Sequence, residues 1–204
     1  MLTRALEREG LSERDLTVIN TSDADLGSLI STSDPGDAFV TWNPILQTGR
    51  GVAGIQIVFD SSEIPGEIVD TIMVRTELDE NCKKAVTGAW YEAMSDMASN
   101  SNEAVEFMAE LAGGTLDEFV AQLKTTRMFY DAADAADFSR SAALKQTMEY
   151  VRQFSFRNGL FGEGAASPDF IGIEFPDGEV LGSERNVKLR FDDTYMQMAA
   201  GDEL

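Results

Sequence analysis

The chain has 204 residues, with 36 acidic and 16 basic side chains, no histidine, one cysteine and a formal charge of −20. That balance disfavours nucleic acid and anionic membrane surfaces, which call for a basic patch. Without histidine there is no Ser-His-Asp triad, and with a single cysteine there is neither an internal disulfide nor a Cys/His metal site. No metal or other cofactor is expected.

Apolar content of 43% and charged content of 25% are those of an ordinary globular chain, long enough for one large domain or two small ones. No run approaches the roughly 20 apolar residues of a membrane span, so no membrane insertion is expected. The amphipathic, charged start, MLTRALEREGLSERD, lacks the apolar core of a signal peptide. The last four residues, Gly-Asp-Glu-Leu, are similar to an ER-retention tail, a match too short to carry an assignment. Cys82 precedes Lys83 and Lys84, whose cations would favour a thiolate. Its plainer role is an incidental helix residue.

In chain order, residues 2–9 read as a helix ended by Gly10. Residues 15–20 read as a strand. Thr21-Ser22-Asp23 follows with capping side chains for a helix over 24–30. Residues 31–36 form a turn-rich loop. Residues 38–42 read as a second strand, Pro44 opens a short helix over 43–48, and residues 54–59 make a third strand. Residues 68–74 are a further apolar run. Alternation of helix and strand at this spacing predicts a parallel sheet of α/β units.

Beyond residue 74 the pattern turns helical. Val86, Ala89, Trp90, Ala93, Met94 and Met97 recur at steps of three and four within a helix over 78–98. Helices follow over 102–112 and 116–123, separated by Gly113-Gly114, with Thr115 or the glycine before it as cap. Phe129-Tyr130 reads as a short strand-like piece. Helices over 132–137 and 142–156 come next, the second stopped at Asn158-Gly159. Residues 169–175 alternate weakly, and 186–200 read as a final helix or helix-like tail. The many apolar helix faces outnumber the strands available to cover them.

Three segments in the first part carry a resemblance: Asn20-Thr-Ser-Asp-Ala-Asp25, Val40-Thr-Trp-Asn-Pro44 and Phe59-Asp-Ser-Ser-Glu-Ile-Pro-Gly-Glu67. They resemble the nitrate/sulfonate/taurine class of ABC-transporter substrate-binding proteins. Val151-Arg-Gln-Phe154, Phe170-Ile-Gly-Ile-Glu-Phe175 and Lys188-Leu-Arg-Phe-Asp-Asp-Thr-Tyr195 are similar to the branch associated with urea carboxylases. The resemblance implies an α/β fold of the type II periplasmic-binding-protein kind, in which two lobes close on a small solute. On that pattern residues 1–69 match the second lobe and 70–76 the return hinge strand. Residues 77–204 match a mainly helical part that would pack on the first lobe, whose sheet is largely missing. The chain then corresponds to the C-terminal part of a longer, periplasmic parent. The implied cargo is urea- or guanidine-like, the implied partner is a transporter permease, and no enzymatic activity is implied. The chain would be a monomer, or would associate through its incomplete face.

Candidate ligand-binding residues cluster in the first 70 positions. Trp42 can stack on a planar cation, or serve as an ordinary core residue. Asn43 offers both donor and acceptor to a urea-like group, or caps the next helix. Ser22 and Asp23 follow a strand end, where open sheets bind ligands, and equally suit capping. Asp60 and Ser61 open an acidic segment with Glu63, Glu67 and Asp70 around Pro65-Gly66. Two carboxylates converging on an amidinium would give bidentate, charge-assisted bonds. The alternative is a solvated surface loop. Glu67 and Asp70 flank the expected hinge. Gly159-Leu-Phe-Gly-Glu-Gly164 lacks the Lys-Ser/Thr of a phosphate loop and reads as a plain loop.

Overall fold

The computed structural model describes residues 1–32, 36–99 and 102–204, with Asn102 described by its backbone alone. The middle of the expected loop over 31–36, residues 33–35, lies outside the described residues. The chain forms two compact units. One comprises Met1–Pro65 with Asn102–Arg127, and the other Gly66–Ser101 with Met128–Leu204.

The first unit is helical among its described residues. It holds α1 (Leu2–Arg8), α2 (Asp23–Leu29), α3 (Ile45–Arg50), α5 (Asn102–Leu111) and α6 (Leu116–Thr125), with short 3-10 turns at Glu13–Asp15 and Ser61–Glu63. Local chemistry explains several of these starts. Ser22 accepts a bond from the Asp25 amide at the head of α2. Thr115 and Glu118 form a reciprocal capping box at the head of α6, with Glu118 accepting from the Thr115 amide at 2.8 Å. Leu6, Leu26, Ile30, Ile64, Val105 and Ala109 are its buried apolar side chains.

The second unit is mixed. It carries α4 (Glu80–Ala98), α7 (Ala132–Arg140), α8 (Ala142–Arg157), α9 (Thr194–Ala200) and three strands, β1 (Gly172–Glu174), β2 (Val180–Gly182) and β3 (Val187–Arg190). Asp79 caps α4 through the Asn81 amide, and Asp131 caps α7 through the Ala133 amide. Ser141 ends α7 and caps α8, its hydroxyl accepting from the Leu144 amide at 3.1 Å. The strands lie in the order β2-β1-β3, with β2 antiparallel and β3 parallel to β1. Ile173 stands opposite both Leu181 and Leu189.

The core of this unit lies where α8 meets the sheet. Leu144, Met148, Ile173 and Phe175 are buried together, flanked by Val69, Phe138, Val151, Leu181, Leu189 and Phe191. Phe175 and Phe191 stack at 5.4 Å. Two basic residues one heptad apart on α8 tie the helix to the loops around the sheet. Lys145 Nζ bonds Asp177 at 2.5 Å and Glu179 at 2.6 Å, across the β1–β2 turn, and lies 5.5 Å from the Phe175 ring centre. Arg152, itself buried, holds Glu149 and Asp169, each at 2.7 Å. Burial opposes the Arg152 charge, but its bonds to Glu149 and then Asp169 outweigh that effect and raise its pKa. α9 closes against α7 through an ion pair between Arg140 and the buried carboxylate of Asp193.

Several expected elements differ. Residues 15–20, 38–42, 54–59, 68–74 and 129–130 are not strands, so the parallel sheet expected from the first part is not formed. Their composition suits β structure, but a strand exists only by pairing. Among the described residues none of these segments joins a ladder. Their side chains show the consequence: Val18, Ile19, Val40, Val58, Ile72 and Met73 are exposed. The expected helix over 186–200 is instead β3 followed by α9. Val187, Leu189 and Phe191 alternate with a period of two, which is the strand pattern. β2 was not expected at all.

Two outcomes test this core. Leu144→Ala, at a side chain 1% exposed, will destabilise the chain by about 2–5 kcal/mol in a denaturant titration. Gly182→Ala will also destabilise. Gly182 has φ 79°, and a Cβ there would lie 2.3 Å from the Ile171 carbonyl oxygen. The Lys145 bond holds the Asp177 carboxyl below its usual range, with help from the Glu179 amide, and Asp177 and Glu179 raise the Lys145 pKa. The folded Asp177 pKa is depressed, so its contribution is present above about pH 3.9 and falls away below that, through the folded value. The folded Lys145 pKa is raised, so its contribution is whole below about pH 10.4 and lost as pH rises through the folded value. Carboxyl and ammonium NMR titrations of these two groups will show both displacements, and Lys145→Met will move the Asp177 titration back toward the ordinary range, leaving the smaller part due to the Glu179 amide.

Candidate functional site

The acidic segment expected to bind a ligand starts at the end of the third apolar run. Asp60 caps the turn Ser61–Glu63, accepting from the Ser62 amide at 2.8 Å and the Ser62 hydroxyl at 2.5 Å. These two bonds, the hydroxyl first, hold the Asp60 carboxyl below its usual range, with a smaller contribution from Arg50. Asp60 therefore stays ionised through neutral and mildly acidic pH. Ser61 is exposed as the first residue of the turn.

Beside this turn the tertiary structure adds a residue from the first helix. Arg8 Nη1 donates to Glu63 Oε2 at 2.8 Å and lies 3.5 Å from the Glu63 carbonyl oxygen. Its guanidinium carbon lies 5.5 Å from the centre of the Phe59 ring. An aromatic face, a carboxylate and a carbonyl thus meet one guanidinium. Arg8 sits at the C-terminal end of α1, where the helix dipole favours a cation. Sequence reading missed Arg8 and Phe59 because 55 residues separate Arg8 from Glu63, and no local spacing reports a contact at that range.

The remaining expected site residues lie on separate segments. Ser22 caps α2 and also donates its hydroxyl to Asp25 at 2.7 Å, which is the capping alternative. Asp23 is exposed in the first turn of the same helix. Trp42 is 63% exposed, so it is not an ordinary core tryptophan, and its ring is open to stacking. Asn43 does not cap α3; its side-chain Oδ1 accepts from Gln47 Nε2 at 3.1 Å, one turn on. Glu67 and Asp70 belong to the second unit. There Val69, between them, packs on the core of α8 and the sheet, while Asp70 is exposed.

Cys82 is a free, exposed thiol in the first turn of α4. Among the described residues no group of three or more His, Cys, Asp or Glu is arranged to hold a metal ion, and no helix is long and apolar enough to cross a membrane. No protein-family model, curated protein or solved structure matches this chain.

Asp60→Asn will remove the ionised cap while keeping its shape. The folded Asp60 pKa is depressed, so stability linked to it is present above about pH 3.9 and lost as pH falls through the folded value. The wild-type chain will lose more stability than the variant between about pH 5 and pH 2, as read by denaturation midpoints across that range.

Proposed function

We propose that this chain is the binding part of an ABC importer's solute-binding protein, of the type II periplasmic-binding-protein fold, for a small urea- or guanidine-like nitrogen compound. The carrying observation is an open Trp42 ring on a strongly acidic chain whose Asp60 is held ionised. An aromatic face and carboxylates suit a neutral or cationic planar ligand. They do not suit nitrate or a sulfonate, for which a cleft needs basic or amide donors. The motifs around Asn20–Asp25, Trp42-Asn43 and Asp60–Glu67 support the same class. Ser22, Asp23, Trp42, Asn43, Asp60 and Ser61 of the first unit remain the proposed contacts. The proposed mechanism is lobe closure, with the ligand favouring the closed state, in a periplasmic parent that delivers solute to a permease. No catalysis is proposed.

A second reading rests on the exposed apolar segments. Val18, Ile19, Val40, Val58 and Met73 make the chain resemble a part whose covering surface lies elsewhere, so it would act by association. Size-exclusion with light scattering separates the two. A clean monomer argues against association, and a concentration-dependent oligomer favours it.

Titration calorimetry with urea, guanidinium, nitrate and taurine is the test of the main reading. Urea or guanidinium will bind and will change Trp42 fluorescence, while the two anions will not. Trp42→Leu will weaken binding about 2- to 30-fold, the range of a cation–π contribution of ~0.5–2 kcal/mol. Tight binding of an anion, with none of urea or guanidinium, overturns the proposal.

A further inference from the structure

Phe59, Glu63 and Arg8 form a contact in which a guanidinium is already recognised. Three different groups address it: the Glu63 carboxylate at 2.8 Å, the Glu63 carbonyl oxygen at 3.5 Å and the Phe59 ring at 5.5 Å. Phe59 and Glu63 sit in one short stretch, and the Asp60 cap fixes the turn that begins between them. The receiving side is therefore built locally. Arg8 arrives from α1, far off in sequence, and its side chain is 44% exposed. An exposed ion pair of this kind contributes little to stability, so exchange with solvent species is easy.

We infer that the Phe59–Glu63 corner is a guanidinium-recognising subsite that Arg8 fills in the free chain. A guanidinium or amidinium solute competes with Arg8 for the carboxylate and the ring. The ligand class follows from the occupant: a planar guanidinium reaches the Glu63 carboxylate and carbonyl through one nitrogen while its carbon lies over the Phe59 ring, an arrangement that a compact ammonium does not reproduce. A neutral urea lacks the charge and competes poorly. The inference deepens the proposed function, on which its biological ligand rests, and it adds a self-occupied state that a solute must displace.

The test is an NMR titration of the full chain with guanidinium chloride, far below denaturing concentrations and with sodium chloride holding ionic strength constant. It is run on wild type, Arg8→Gln, Arg8→Lys and Glu63→Gln. In wild type the Arg8 side-chain N–H signal will shift toward that of a free arginine as guanidinium is added, and the amides of Phe59 and Glu63 will move with it. Arg8→Gln will bind guanidinium up to about fivefold more tightly, the ceiling set by an exposed pair. Arg8→Lys will fall between the two. Glu63→Gln will abolish the local shifts, and it reads the subsite even if the Arg8 variants fold poorly. Equal affinity of wild type and Arg8→Gln, or guanidinium-induced shifts that survive Glu63→Gln, overturns the inference. Failure of the broader reading looks different: the corner responds to guanidinium while Trp42→Leu leaves all solute binding unchanged.

Discussion

The second unit depends on the burial of one helix face, α8, against a three-stranded sheet. The sheet is too small to be stable by pairing alone, since its strands are three or four residues long. Leu144 and Met148 from the helix meet Ile173 and Phe175 from the first strand, and that apolar contact is what makes the ladder worth forming. Lys145 and Arg152 then orient the helix on the sheet. Lys145 grips the β1–β2 turn through two carboxylates, and Arg152 reaches the Asp169 loop that leads into β1. Gly182 permits the close backbone approach that brings β2 beside the Ile171 carbonyl. Arg140 and Asp193 add the last helix to the same assembly.

The first unit shows the opposite balance. Its helices are short, with side-chain caps at the heads of α2 and α6, yet its most β-prone segments lack partners among the described residues. Apolar residues on those segments are consequently left in solvent, and Trp42 is among them. The Arg8 contact belongs to this picture: an exposed chain segment with a carboxylate and a ring attracts the nearest planar cation, here one of its own.

Much of the helical architecture was legible from the sequence, because caps and periodicity act within a few residues. The helices expected over 132–137 and 142–156 are α7 and α8, and Asn158-Gly159 ends the latter, with Gly159 at φ 71°. Thr115, one of the two caps the sequence offered, heads α6. Strands were less legible. Residues 54–59 read as a strand from composition, yet no neighbour pairs with them, whereas Val187–Arg190 reads as a strand only once the period-two alternation of Val187, Leu189 and Phe191 is weighed above the helical pattern downstream. Of the candidate site, the Asp60 segment, read as a ligand cluster or a solvated loop, opens with a turn that Asp60 caps, and the capping role of Ser22 was recognisable from its position. The burial of Val69 between Glu67 and Asp70 was not, because it depends on α8, more than 70 residues away.

The sequence by itself determined where most helices begin and end, the excess of negative charge, and the absence of imidazole chemistry. These follow from residue type and from bonds spanning three or four positions. Tertiary structure alone decided which β-prone segments became strands, that Asp193 is buried against Arg140, and that Arg8 meets Phe59 and Glu63. Each of those outcomes requires two distant segments to meet, and their meeting is selected by the summed burial of apolar surface, which no short window of sequence contains.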